Sequence, residues 1–231
     1  MADGYHPPLE EYLEAIHALA EEGVAVIQAR LVERLGHSPQ AVSEMVRRLA
    51  DDGYLARSGR GVALTEQGRT RAESVVRRHR LAERFLVDVV GLPWARAHAE
   101  AGRWEHVISD DVEARFVEIL GHPTTCPHGN PIPGAPFDPV PQRAIAEVSP
   151  GEHVRLARIT EQIEIDGDAL AYLDENGLVP GRGATVRSRA PDGTLTLDLD
   201  ADARDGDTPA SGPHTVAVGG AMCRQIYVTA G

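Results

Sequence analysis

The sequence predicts a mainly α chain that ends in a small all-β domain. Three observations predict it. Residues 9–65 read helix, helix, helix, strand, turn, strand, the order of a winged helix-turn-helix. Residues 65–120 keep apolar positions at helical spacing. After Ser149 five short stretches carry β-rich patterns of strand length, the signature of a small barrel. The predicted domains are a winged helix-turn-helix over 1–72, a helical domain over 73–142 and a β domain over 150–231.

Leu9, Tyr12, Leu13, Ile16 and Leu19 mark the first helix, which Gly23 stops. Residues 24–35 read as a second, ended by Gly36. Ser38 is a predicted N-cap with Pro39 at the first helical position. The helix they open carries Val42, Met45, Val46 and Leu49 on one face and stops at Gly53. Residues 54–57 and 62–65 are predicted strands around the turn Ser58-Gly59-Arg60-Gly61, and Thr65 caps a long helix reaching Val90. Gly91-Leu92-Pro93 breaks it, and residues 94–106 and 110–120 read as further helices. Residues 122–142 are rich in Pro, an irregular strap rather than a flexible linker. Strands follow at 153–160, 184–190, 194–199, 214–218 and 225–229, with one helix at 167–176. Asp192-Gly193 is a hairpin signal. The Asp-rich stretch 198–207 reads as a solvated loop.

The 231 residues carry a net charge of -12, which argues against wholesale coating of nucleic acid. Charge is uneven, however. Residues 24–80 hold 11 Arg and 6 acidic residues, whereas the remainder holds 12 basic and 29 acidic ones. A basic module is attached to an acidic body. Every basic residue is Arg, a type suited to bidentate phosphate and guanine contacts. Codon bias explains the missing Lys better than function does, but not the clustering. No apolar run approaches the roughly 20 residues of a membrane helix, and residues 1–8 carry no signal pattern. Cys126 and Cys223 make no disulfide framework, so a cytoplasmic location is expected.

The helix opened by Ser38 is the predicted DNA reader. Ser38, Pro39, Gln40 and Ser43 stand where base edges lie, and Gln pairs bidentately with adenine. Arg47 and Arg48 suit phosphates, while Arg57 and Arg60 flank the wing turn. The plain alternatives are a solvated face for each Arg and a simple cap for Ser38.

A second constellation suits metal. His79 and Glu83 are four apart on one helix and lie over each other. On the next helix, Glu105 falls about 20° to one side of His98 and His106 about 80° to the other. Glu11 and Glu14 share helical spacing on the first helix. Imidazole with carboxylate suits divalent first-row ions. The metallohydrolase spacing of two His around a Glu is absent. Cys126-Pro-His128 is too tight for a Zn site and reads as part of the strap.

Three strings together resemble the diphtheria toxin repressor family, with its iron-dependent and manganese transport regulators. They are His79-Arg-Leu-Ala-Glu-Arg, His98-Ala-Glu-Ala-Gly-Arg-Trp-Glu-His106 and Pro127-His-Gly-Asn-Pro-Ile-Pro-Gly134. The resemblance spans nearly the whole chain. It implies an SH3-like C-terminal domain and a homodimeric, metal-activated regulator with two metal positions per subunit. Its partner is double-stranded palindromic operator DNA, with no membrane and no small organic substrate. It implies an ancillary position at His79, Glu83 and His98, completed by Glu161 and Glu164 from the SH3-like domain. It implies a primary position at Glu105 and His106 with Glu11 and Glu14. Here Glu11 stands where iron-type members carry Met, and Glu14 matches a manganese-type carboxylate. Gly102 stands where the family has Cys or Glu, leaving its backbone carbonyl as the donor. Replacing thioether and thiol by oxygen hardens the site and favours Mn²⁺, with Fe²⁺ second.

Under this reading the metal offsets carboxylate repulsion, fixes the first helix and registers two DNA-reading helices on an operator that represses metal-uptake genes. The rival readings are a metal-dependent hydrolase or oxygenase using the same His and Glu, and a scaffold whose winged helix contacts protein. No nucleophile elbow, phosphate loop or dinucleotide fingerprint supports the enzyme.

Overall fold

The computed structural model describes residues 8–59, 61–138, 140–201 and 213–231. Arg60 and part of the acidic stretch 198–207 lie outside the described residues. The chain forms two compact units, Met1–Gly91 with Ala99–Pro123 and Ile132–Ala135, and Leu92–His98 with Thr124–Pro131 and Pro136–Gly231. Among the described residues no helix is long and apolar enough to cross a membrane.

In the first unit, α1 (Pro8–Glu21) turns Tyr12, Leu13, Ile16 and Leu19 into the core. α2 (Gln28–Leu35) adds Leu31, and α3 (Pro39–Asp51) adds Val42, Val46 and Leu49. Burying each such side chain contributes about 1.5–3 kcal/mol. The second helix starts at Gln28 rather than Val24. Val24, Val26 and Ile27 are β-branched and favour extended backbone. Val26 O accepts a hydrogen bond from Val62 N at 3.0 Å, and Ile27 bridges Gly61. This stretch therefore lies along the wing.

The wing is an antiparallel pair, β1 (Leu55–Ser58) and β2 (Gly61–Leu64). α4 (Glu66–Asp88) begins at the predicted cap, where Thr65 Oγ1 accepts from Gly68 N at 3.1 Å. A Cβ on Gly68 would lie 2.1 Å from Tyr54 O, so the first turn of α4 needs glycine to pass the base of the wing. Instead of one helix over 94–106, a 3₁₀ turn (Trp94–Arg96) precedes α5 (Ala97–Trp104). α6 (Asp110–Ile119) is capped by Ser109 and packs against α4.

The second unit is an antiparallel sheet of six strands rather than five. They are β3 (Arg143–Ala144), β4 (His153–Ile159), β5 (Gly183–Arg189), β6 (Leu195–Leu199), β7 (His214–Val218) and β8 (Ile226–Ala230), in spatial order β3-β8-β4-β5-β6-β7. Val154, Leu156, Val186, Leu195, Leu197, Val216 and Val228 fill its core, following the two-residue alternation of strands. The β5–β6 turn holds the predicted Asp192-Gly193, with Gly193 at φ +87°. α8 (Gly167–Glu175) matches its prediction. α7 (Glu161–Glu164) and α9 (Gly220–Cys223) were not predicted, because four residues make one turn and carry no period.

Candidate metal centre and nucleic-acid interface

α3 separates its two faces cleanly. Val42, Val46 and Leu49 are buried, whereas Gln40, Ser43 and Arg47 are exposed. Ser38 and Pro39 are exposed at its start, and Ser38 Oγ accepts from Ala41 N at 3.2 Å. Ser38 is thus a cap whose hydroxyl hydrogen remains available to donate. Arg48 and Arg57 are exposed too, with Arg48 3.8 Å from Asp52 across one helical turn.

Behind this module, α1 and α4 pack together and meet the residues just after α5. Donor atoms of Glu14 on α1, His79 on α4 and Glu105 lie within 4.8 Å of one another. His79 Nδ1 is 2.5 Å from Glu105 Oε2 and 3.9 Å from Glu14 Oε1, and its Nε2 is 3.1 Å from Glu83 Oε1. Burial alone would lower the His79 pKa. The carboxylates of Glu83 and Glu105 outweigh it and hold the ring well above its ordinary value. Burial would likewise raise Glu105, but His79 and His106 hold it down to about 2.

Glu105 also faces a second imidazole, with Oε1 3.0 Å from His106 Nε2. His106 Nδ1–H donates to Glu10 Oε2 at 2.5 Å, and the other oxygen of Glu10 pairs with Arg71. Desolvation lowers the His106 pKa, but Glu105 and Glu10 raise it further. The carboxylate that α1 aims at His106 is therefore Glu10, buried and 4% exposed. Glu11 is half-buried. Gly102 lies within α5, and a Cβ built on it meets nothing within 4 Å.

The remaining predicted ligands divide between the units. His79 and Glu83 stand on α4 of the first. In the second, His98 Nδ1 lies 3.1 Å from Glu164 Oε2, and Glu161 opens α7, the short helix that ends at Glu164.

Sequence reasoning missed Glu10. Its signal was available, because Glu10 and Glu14 are four apart and share a helix face. It also missed the dual position of His79, whose two nitrogens face different carboxylates. Helical phase does not tell which nitrogen points where.

An oxygen-rich pocket with two imidazoles, buried beside a basic winged helix, fits a divalent cation. Family models agree. The model described as iron dependent repressor, N-terminal DNA binding domain, matches residues 6–63. The one described as iron dependent repressor, metal binding and dimerisation domain, matches 65–134, and a FeoA domain matches 143–230. The chain is 45% identical over 200 residues to the iron-dependent repressor IdeR of Mycobacterium tuberculosis, covering 81% of this chain and 86% of that protein. It is 39% identical over 198 residues to the diphtheria toxin repressor of Corynebacterium diphtheriae, covering 81% and 87%. Among solved structures, a manganese-dependent transcriptional repressor in complex with manganese superposes with a TM-score of 0.82 at 32% identity, covering 96% of this chain and 99% of the other. The manganese regulator SloR gives 0.75 at 27% identity, covering 98% and 100%.

Proposed function

From the premise that this chain belongs to the iron-dependent repressor family, that of the diphtheria toxin repressor, we propose a Mn²⁺-activated homodimeric repressor of metal-uptake genes. The coarser part of that statement is membership itself: the chain is a metal-dependent, DNA-binding transcriptional repressor. The hydrolase and oxygenase readings fall with it. The finer parts are the ion, the dimer and the operator.

One observation carries the choice of ion. The donors that converge between α1, α4 and the end of α5 are Glu14, His79 and Glu105, with His106 beside them. This set holds oxygen and imidazole nitrogen but no sulfur, and hard oxygen donors suit Mn²⁺. The named manganese-dependent repressor structure supports the same reading. Fe²⁺ is the second reading, favoured by the names of the iron-dependent relatives. A bound divalent cation would offset the carboxylate charge that Glu14 and Glu105 bring together.

Glu14 then holds α1 against α4. α1 shares the core of Leu13, Ile16, Leu31, Val42 and Leu49 with α2 and α3, so a fixed α1 fixes α3. Two copies of α3 address half-sites about one helical turn apart on palindromic DNA. Ser38, Pro39, Gln40 and Ser43 read bases, and Arg47, Arg48, Arg57 and Arg60 hold phosphates. The dimer reading rests on the match to a dimerisation domain over 65–134 and on Val107, Val112 and Ile119, large apolar side chains exposed within that span.

We also propose that the primary position uses Glu11, Glu14, Gly102, Glu105 and His106, now with His79 at its edge and Glu10 behind His106. The second position, as the family resemblance implies it, uses His79, Glu83, His98, Glu161 and Glu164. The test is a mobility shift on the protein's own promoter region across a panel of divalent ions, with calorimetric titration of Mn²⁺ and Fe²⁺. Activation by Mn²⁺ and loss on chelation is the expected result. Activation by Fe²⁺ alone overturns the ion, and equal DNA binding after exhaustive chelation overturns the whole reading.

A further inference from the structure

The turn between α2 and α3 holds a residue that has no part in the function above. Gly36 ends α2 in the left-handed region at φ +65°, and Ser38 caps α3. His37 stands between them, exposed, next to the predicted base readers Ser38, Pro39 and Gln40. Its ring is nevertheless held. His37 Nδ1 lies 3.0 Å from Tyr12 Oη, and the two ring centroids are 5.6 Å apart with the planes tilted by 36°.

Tyr12 is a firm support. It is 2% exposed and belongs to the core that α1 shares with α2 and α3. A buried phenol directs its hydrogen at an acceptor, and His37 Nδ1 stands at hydrogen-bond distance. A neutral ring that accepts at Nδ1 carries its hydrogen on Nε2, and a protonated ring carries one there too. Tyr12 thus keeps a donor on the far nitrogen of an exposed ring, at the start of the DNA-reading helix. Without that hydrogen bond, an exposed imidazole can turn and exchange its tautomers.

We propose that His37 is a further DNA-binding residue, donating from Nε2–H to a phosphate oxygen of the operator backbone, with Tyr12 as the residue that positions it. This rests on the reading of α3 as the DNA reader. Phosphate contacts fix register and orientation on the duplex without carrying sequence information, a role suited to a donor that adjoins the base readers. Tyr12 lies on α1, the helix that also carries Glu10 and Glu14. The same hydrogen bond therefore ties the orientation of His37 to the helix that the metal holds.

The test uses the full chain on the operator footprinted in its own promoter region, loaded with Mn²⁺ or, should that ion fail to activate, Fe²⁺. A series of duplexes carries a neutral methylphosphonate at each backbone position in turn. His37→Phe keeps an aromatic ring beside Tyr12 but has no donor. Tyr12→Phe keeps the core packing but releases the ring of His37. Circular dichroism and the metal isotherm show that each variant is folded and loaded, and His37→Ala replaces His37→Phe if the latter is not. His37→Phe is expected to weaken matched and mismatched operators alike by about tenfold or more, the effect of losing a hydrogen bond to a charged group. Tyr12→Phe should weaken both by about two- to tenfold. In the wild type, a methylphosphonate at the contacted phosphate of each half-site costs affinity. His37→Phe loses nothing further there and keeps the penalties at all other positions. Wild-type affinity in folded His37→Phe overturns the proposal. So does a weakened variant that keeps every methylphosphonate penalty, because the role of His37 is then structural. Wild-type affinity in Tyr12→Phe overturns the positioning role. Failure of the broader reading is seen separately, in the wild type alone, as operator binding that survives exhaustive chelation.

Discussion

His79 Nδ1 lies 2.5 Å from Glu105 Oε2, both groups buried. This contact joins α4 to the end of α5, and the remaining oxygen of Glu105 faces His106. Glu105→Gln keeps the shape but removes the charge between two imidazoles. The expected outcome is a retained fold with loss of metal-dependent operator binding. Calorimetry and mobility shift on the variant check it, and normal DNA binding with metal would show that Glu105 is no ligand.

Metal ligation requires neutral imidazole nitrogen. The pKa values of His79 and His106 stand above the ordinary 6.5 in the metal-free chain. Protons must therefore leave as the ion enters, and affinity falls with pH from above 6.5 downward. Isotherms in buffers of different ionisation heat should differ by the protons released. Equal heats would contradict this.

Stability of the chelated protein follows the same groups with the sign worked out. A raised histidine stabilises fully below its unfolded value near 6.5 and loses that contribution as pH rises through the folded value. Glu105, held down to about 2, stabilises above its ordinary 4.5 and loses that contribution as pH falls towards 2. For these groups the maximum lies between 4.5 and 6.5. Thermal unfolding across pH, with and without chelator, measures it.

Space around Gly102 is open, so a side chain there meets no steric bar. Gly102→Cys is expected to stabilise α5 by about 0.3–1 kcal/mol through helix propensity. It should also shift preference from Mn²⁺ towards Fe²⁺ by adding a thiolate. Competitive titration of the two ions decides, and an unchanged ratio would mean that position 102 does not face the metal.

Glu10 accepts from His106 Nδ1–H, which leaves Nε2 as the ligating nitrogen. Glu10→Gln should weaken metal binding about 10–100-fold, the usual effect of removing an orienting carboxylate, while far-UV circular dichroism stays the same. An affinity within error of the wild type would remove Glu10 from the centre.

On DNA, Gln40 and Arg47 should separate. Gln40→Ala is expected to cost about 1–3 kcal/mol at one base position and relax discrimination there. Arg47→Ala should weaken all sequences alike and reduce the salt slope by about 0.9. Parallel salt titrations on matched and mismatched operators distinguish the two effects.

Much of this molecule was legible in the chain itself. Periodicity located α1, α3, α4 and α6, and the residues that end or cap them did so for local reasons: Ser38 and Thr65 accept from their own first turns. Asp192-Gly193 marked its hairpin equally locally. These features depend on a few adjacent residues, so sequence spacing is enough. Where the backbone choice depended on a distant partner, local reading failed. Val24 to Ile27 looked helical until Val62 and Gly61 took their hydrogen bonds. The site divides in the same way. Spacing alone put His79 with Glu83, because an α-helix fixes neighbours within one element, whereas the grouping of Glu105 with His106 came from the family resemblance. Packing of α1 on α4 decided that Glu10 meets His106, and that His79 turns one nitrogen to Glu105. Donor type and helix face are properties of the sequence, but which donors converge is set by the angle at which separate elements pack.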